Sequence, residues 1–257
     1  MATTLPAQAP LRRRAEVLGR RPEFPALAVA AVAWVALLAM LVAPPPVVAT
    51  TGGAGHHHAG STGAESAATQ RVLADAGQGV AVWVLMVVAM MLPLAVPGIR
   101  YVARMVPRRG RLAATSTFAA AYVVAWLPGA ILAVGLHAWP APGWPVVSAG
   151  FLLAAAWELT PLKRKALLRC HRRQVIRARQ PARWRSCWAF GLRRGGWCVV
   201  SCGPAMLALM LSQHALVPLL VLAAGVAAQQ YLPDAHWHRK WSAAALLALA
   251  VATPMFA

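Results

Sequence analysis

After Arg193-Arg194, the chain reads Gly195-Gly196-Trp197-Cys198-Val199-Val200-Ser201-Cys202-Gly203-Pro204-Ala205-Met206-Leu207-Ala208-Leu209-Met210-Leu211-Ser212, with no charge in it. A helix of that length, at ~1.5 Å per residue, comes close to crossing a hydrocarbon layer of roughly 30 Å. The residues before it are the reverse: Lys163 to Arg194 carries 12 basic side chains and no acid. The pattern repeats outward in both directions. Apolar stretches run over Ala26–Ala43, Val80–Pro97, Ala113–Gly135, Val146–Leu162, Ala215–Leu232 and from Trp241 to the C-terminus. If all seven cross, the intervening loops alternate sides. Then 24 of the 25 Lys and Arg fall on one side, with Arg71 alone opposite. Membrane insertion enforces such a bias and a soluble fold has no reason to obey it.

The expectation is therefore an all-α, polytopic transmembrane helical bundle of about seven spans, with a cytoplasmic N-terminus. Residues 1–25 read as a basic cytoplasmic tail and residues 26–257 as one transmembrane helical domain. That domain would carry a His-containing outer loop at 50–78 and a basic cytoplasmic loop at 163–194. A cleaved signal peptide ending near Val47-Val48-Ala49 is the rival for the first span, whose apolar region exceeds the usual ~7–15 residues. A pI near 11.8 would suggest nucleic acid for a soluble chain. Here the basic residues flank apolar spans, so the expected partners are the lipid bilayer and its anionic headgroups, not nucleic acid. The Arg-over-Lys and Ala-rich composition points to a bacterial plasma membrane.

Two kinds of residue stand out inside the spans. Of six acidic residues, only Glu158 falls within one. An ionised group at a helix centre costs roughly 2.5–3.5 kcal/mol on insertion scales, so Glu158 is a functional candidate by default. The plainer alternative pairs it with Lys163, Arg164 or Arg194. The second anomaly is soft sulfur. Cys198, Cys202, Met206 and Met210 are spaced four apart and form one stripe along a helix. Met86 and Met90 repeat that spacing, with Met91 adjacent and Pro93 and Pro97 closing the segment. Met in an apolar span is commonly packing filler, but two Cys running into two Met form a donor set. Counting from the cytoplasmic ends, Cys202 and Met91 lie ~10 Å deep, Glu158 and Cys198 ~5–6 Å, and Met86 and Met206 near the midplane. Thiolate and thioether ligands select Cu(I), or thiophilic ions such as Zn(II) where thiolates dominate. A Cys198–Cys202 disulfide is the rival use, disfavoured because i,i+4 thiols on a helix point nearly parallel. Cys170 and Cys187 fall in the basic loop, where thiols stay reduced.

Histidines offer less. His56, His57 and His58 sit in a Gly/Ala-rich outer stretch, His137 and His214 at outer helix ends, and His171, His236 and His238 on the basic side. A haem site on His137 and His214 would lie near the surface. No hydrolytic triad, phosphate loop or cofactor fingerprint marks an enzyme.

At three blocks the chain resembles a bacterial family of predicted metal-binding integral membrane proteins. These are Trp83-Val84-Leu85-Met86-Val87-Val88-Ala89-Met90-Met91-Leu92-Pro93, Trp157-Glu158-Leu159-Thr160-Pro161-Leu162-Lys163 continuing to Cys170, and Gly195 to Met206. The resemblance covers roughly Trp83 to Met210. It implies membrane metal handling, with Met86, Met90, Met91, Glu158, Cys170, Cys198, Cys202 and Met206 as candidate ligands. The chain departs from that family at Ala166, where a Cys is typical, and at Ser201-Cys202-Gly203, which replaces a Cys-Cys-Trp run. The expected function is binding or moving a soft metal ion, most plausibly copper as Cu(I), through a Cys/Met layer in the inner half of the bilayer. The alternative is a metal-free structural or assembly subunit docking a membrane-protein partner.

Overall fold

The computed structural model describes residues 21–42, 61–137, 143–172, 174–176, 182–212, 215–232 and 235–255. His56, His57, His58 and His214 fall outside them, as do the side chains of His137 and His236, so the haem and outer-loop readings rest on residues that are not described. Regular structure among the described residues is entirely helical, as the apolar runs require. In order, the helices are α1 (Phe24–Val42), α2 (Ser61–Met91), α3 (Val96–Met105), α4 (Arg111–Val124), α5 (Leu127–His137), α6 (Trp144–Leu159), α7 (Pro161–Cys170), α8 (Ala182–Leu211), α9 (Leu216–Tyr231) and α10 (Ala235–Ala252).

Span boundaries depart from expectation where proline intervenes. By length and composition, two stretches among the described residues can cross a membrane, Arg108–Leu132 and Ala182–Leu211. Two more qualify if each broken pair counts as one: Ala76–Met91 with Pro93–Met105, and Trp144–Leu159 with Pro161–Cys170. Phe24–Met40 and Leu216–Tyr231 are apolar but shorter, and α10 carries Arg239 and Lys240 in its first turns. The count supported is thus two to four, against the seven expected. Pro93 and Pro161 lack the N–H that would continue the ladder, so each restarts a helix at its first turn.

Two segments expected as loops are corrected. Residues 61–78 continue α2 as helix, because an Ala-rich run next to an apolar helix extends it at little cost. Most of 163–194 is also helical. There, apolar residues recur at helical spacing between the cations: α7 buries Ala166, Leu167 and Cys170, and the start of α8 buries Cys187 and Phe190. Cys170 and Cys187 are buried helix residues, not loop thiols.

The described chain divides into two compact units. The first comprises Met1–Ala33, Val87–Trp126 and Thr160–Cys202. Its α3 and α4 pack together, and Phe118 and Tyr101 meet Phe190 at centroid distances of 4.9 and 5.8 Å. Gly191 and Gly195 decide how closely α8 approaches α4. A Cβ on Gly191 would sit 2.5 Å from the Phe118 carbonyl oxygen, and one on Gly195 2.6 Å from that of Tyr122. This is backbone-to-backbone packing of the small-residue kind that joins helices in lipid. Glu23 anchors the start of α1 through Arg100, at 2.9 Å.

The second unit comprises Trp34–Met86, Leu127–Leu159 and Gly203–Ala257. Within it α6 lies along α10, and α9 packs on α10. The Ser148 hydroxyl donates to the Ala250 carbonyl at 2.9 Å and also pairs with the Thr253 hydroxyl, tying α6 to the end of α10.

Candidate metal centre

In the first unit the four-residue stripe of α8 runs inward. Arg194, Cys198 and Cys202 are all buried. Beyond the stripe Pro204 sits inside the helix. Proline has no N–H to give to the preceding turn of the helix. Lys163 reaches the stretch just before it. It is fully buried, and its ammonium donates to the Ser201 carbonyl at 2.8 Å. Helix α7 delivers that lysine through a regular start: Thr160 caps it by accepting from the Lys163 N–H at 3.2 Å, and Pro161 occupies the first position. Ala166 and Cys170 continue the buried face that Lys163 begins.

The sulfur atoms converge on Cys198. Its Sγ lies 4.0 Å from the Met91 Sδ at the end of α2 and accepts a hydrogen bond from the Tyr122 hydroxyl at 3.0 Å. Cys202 is within hydrogen-bonding reach of the Cys198 thiol, and Cys170 within electrostatic reach of both. The Cys202 Sγ also approaches the Ser201 hydroxyl at 3.7 Å. All four cysteines are free. Met90 is buried beside Met91. The structure thus brings Cys170, Cys198, Cys202, Met90 and Met91 into one unit. Among the described residues no group of three or more His, Cys, Asp and Glu is arranged to hold a metal by itself. The positions departing from the expected thiols, Ala166 and Ser201, are both buried in this unit, at 0% and 1% exposure.

Met86, Met206 and Glu158 belong to the second unit. Both methionines are buried. Glu158 is also buried, and its carboxylate accepts from the Gln229 amide at 2.9 Å. That amide also donates to the Ser242 hydroxyl at 2.8 Å. Arg239 donates from Nε and Nη2 to the Glu158 backbone carbonyl, at 2.8 and 2.5 Å. The last carbonyls of α6 have no intrahelical donor, and a guanidinium at a helix C-terminus is a favourable cap. On the first unit's side, the Lys163 ammonium holds a carbonyl on α8. A cavity of about 430 Å³ opens beside Glu158, lined by Gln229, His238, Trp241 and Ser242 among apolar side chains.

Three residues that matter were not singled out from sequence: Tyr122, Gln229 and Arg239. For Tyr122 and Gln229 the signal was present, a hydroxyl and an amide inside otherwise apolar helices. For Arg239 it was hidden by the many other cations of the chain.

The family model of the PpoB2 copper chaperones matches residues 80–253. No curated protein and no solved structure matches the chain. The matched region contains every sulfur described above, from Met86 to Met206, and covers well over half of the sequence. The chain belongs to the PpoB2 copper chaperone family.

Proposed function

We propose that this chain is an integral protein of the bacterial plasma membrane that holds Cu(I) as cargo, with Cys198, Cys202 and Met91 as its ligands. The approach of Met91 to Cys198 carries the reading, because two segments distant in sequence bring soft sulfur to one point, 4.0 Å apart. With metal–sulfur bonds of ~2.3 Å, two ligands of a trigonal centre stand ~4 Å apart, so the sulfurs need little movement to share an ion. Two thiols and a thioether suit Cu(I), whereas structural Zn(II) sites take four nitrogen or sulfur ligands. Tyr122 orients the Cys198 sulfur, as outer partners of metal ligands do. Cys170 and Met90, buried in the same unit, are further sources of soft sulfur. The reading asks no ligand of Met86, Met206 or Glu158.

The membrane setting is supported by surface chemistry as well as by charge placement. Val32, Ile131, Leu153 and Val251 are each at least 70% exposed, within apolar stretches of their helices. Lipid is the solvent that makes such faces favourable. The orientation proposed has the basic segments facing the cytoplasm.

The test is titration of anaerobically purified protein in detergent with Cu(I) against a competing chelator, followed by X-ray absorption of the loaded protein. The expected result is one tightly held ion with sulfur-only neighbours. Absence of binding, or a shell of nitrogen and oxygen, would leave the metal-free assembly subunit as the better reading.

A further inference from the structure

Arg194 is 6% exposed, and its Nη2 has no hydrogen-bond partner. It stands four residues before Cys198 and eight before Cys202, on the face that carries both thiols. It also lies within electrostatic reach of Cys170. The aliphatic stem is held in place: a Cβ on Gly98 would lie 3.3 Å from the Arg194 Cδ. A buried guanidinium is ordinarily matched to a carboxylate. Among the described residues of this unit the sole carboxylate is Glu23, which is bound to Arg100. With the buried Lys163, Arg194 therefore brings positive charge, and by itself a spare N–H donor, to a region where sulfur is the group placed to carry the opposite charge.

We infer that Arg194 is a specificity-determining residue of the sulfur site: its positive charge and spare N–H donor favour a monovalent over a divalent metal bound by Cys198 and Cys202. This rests on the Cu(I) reading above and adds to it the reason for choosing a monovalent ion. Cu(I) held by two thiolates has one net negative charge, which the buried cations Arg194 and Lys163 both attract. Zn(II) held by the same two thiolates is neutral and gains no such attraction. Lys163 already donates to a backbone carbonyl, whereas Arg194 keeps a free N–H for the complex. Charges count heavily here because little water screens them. An N–H donated to a thiolate of the anionic complex would add a charge-assisted hydrogen bond.

The experiment compares Cu(I) and Zn(II) affinities, each by competition with a chelator, for the parent, Arg194→Met, Arg194→Lys and Arg193→Met. Arg193 is exposed, so its change alters net charge equally without altering the site. The expected result is that Arg194→Met lowers the Cu(I)-to-Zn(II) affinity ratio by about tenfold or more. Arg194→Lys, which keeps the charge, should stay within about threefold of the parent, and Arg193→Met should match it. A general structural role would weaken both metals together and leave the ratio alone. If Arg194→Met does not fold, Arg194→Lys still decides the matter, since a tenfold loss of ratio with the charge retained overturns the inference. An unchanged ratio in Arg194→Met overturns it while leaving the Cu(I) reading intact. A parent that binds no Cu(I) removes that reading first, and this inference with it.

Discussion

The two units each bury polar groups beside a proline-broken helix, and they treat those groups in opposite ways. Around Glu158 the groups engage one another directly: carboxylate to amide, amide to hydroxyl, guanidinium to backbone carbonyl. Around Cys198 one hydroxyl donates to the sulfur at 3.0 Å, and the other contacts are between soft atoms, a thiol 4.0 Å from a thioether and a second thiol close by. Oxygen and nitrogen left unpaired in an apolar interior are costly, so the first arrangement has to close on itself. Sulfur forms only weak hydrogen bonds and tolerates apolar surroundings, so the second remains open to a ligand that bonds it more strongly. The comparison teaches that a buried carboxylate can act as a fastening, while a less polar sulfur cluster is the one proposed here to bind metal.

The sharpest way to break that contrast is to remove the sulfur. Cys198→Ser with Cys202→Ser keeps size and replaces soft ligands by hard ones. Cu(I) affinity should fall by more than the ~100-fold that outer-shell changes reach, with the melting temperature little altered. A double variant that binds Cu(I) like the parent would end the sulfur reading. Glu158→Ala should do the converse. It strands the Gln229 amide and should cost about 2 kcal/mol of stability in a detergent melt, with Cu(I) affinity unchanged. A large loss of affinity with normal stability would move Glu158 into the metal site.

Smaller effects sharpen the picture. Tyr122→Phe removes the hydroxyl that holds the Cys198 sulfur, and Cu(I) affinity should drop roughly tenfold, the low end for an outer-shell partner. Equal affinities for the two proteins would show that the contact does not orient the ligand. Met206→Leu keeps volume and loses only sulfur. Competition titration should find a change below about twofold, since Leu and Met exchange readily in packed interiors. A loss as large as that of Tyr122→Phe would instead make Met206 a ligand.

Much of this was legible in the residues. The helical class followed from apolar runs, and the α8 stripe from four-residue spacing. The break at Pro161 cut short a span expected to run to Leu162. Less visible was the helical character of the basic segment 163–194, where charge density masked the buried face of Ala166, Leu167 and Cys170. Gln229 and Arg239 were not foreseen at Glu158, because they lie 71 and 81 residues further along the chain, on α9 and α10.

Geometry within one helix depends only on residue spacing, so the chain by itself determined that Arg194, Cys198 and Cys202 share a face. It likewise determined that Glu158 ends a helix before a proline. Which side chains from other helices reach those points depends on how closely backbones approach, and tertiary packing decided that. Gly191 and Gly195 let α8 settle against the backbone of α4. That contact sets the Tyr122 hydroxyl on the Cys198 sulfur, just as the packing around the end of α2 sets Met91 beside it. No spacing along the chain encodes such distances, because they are fixed by the fit of one surface against another.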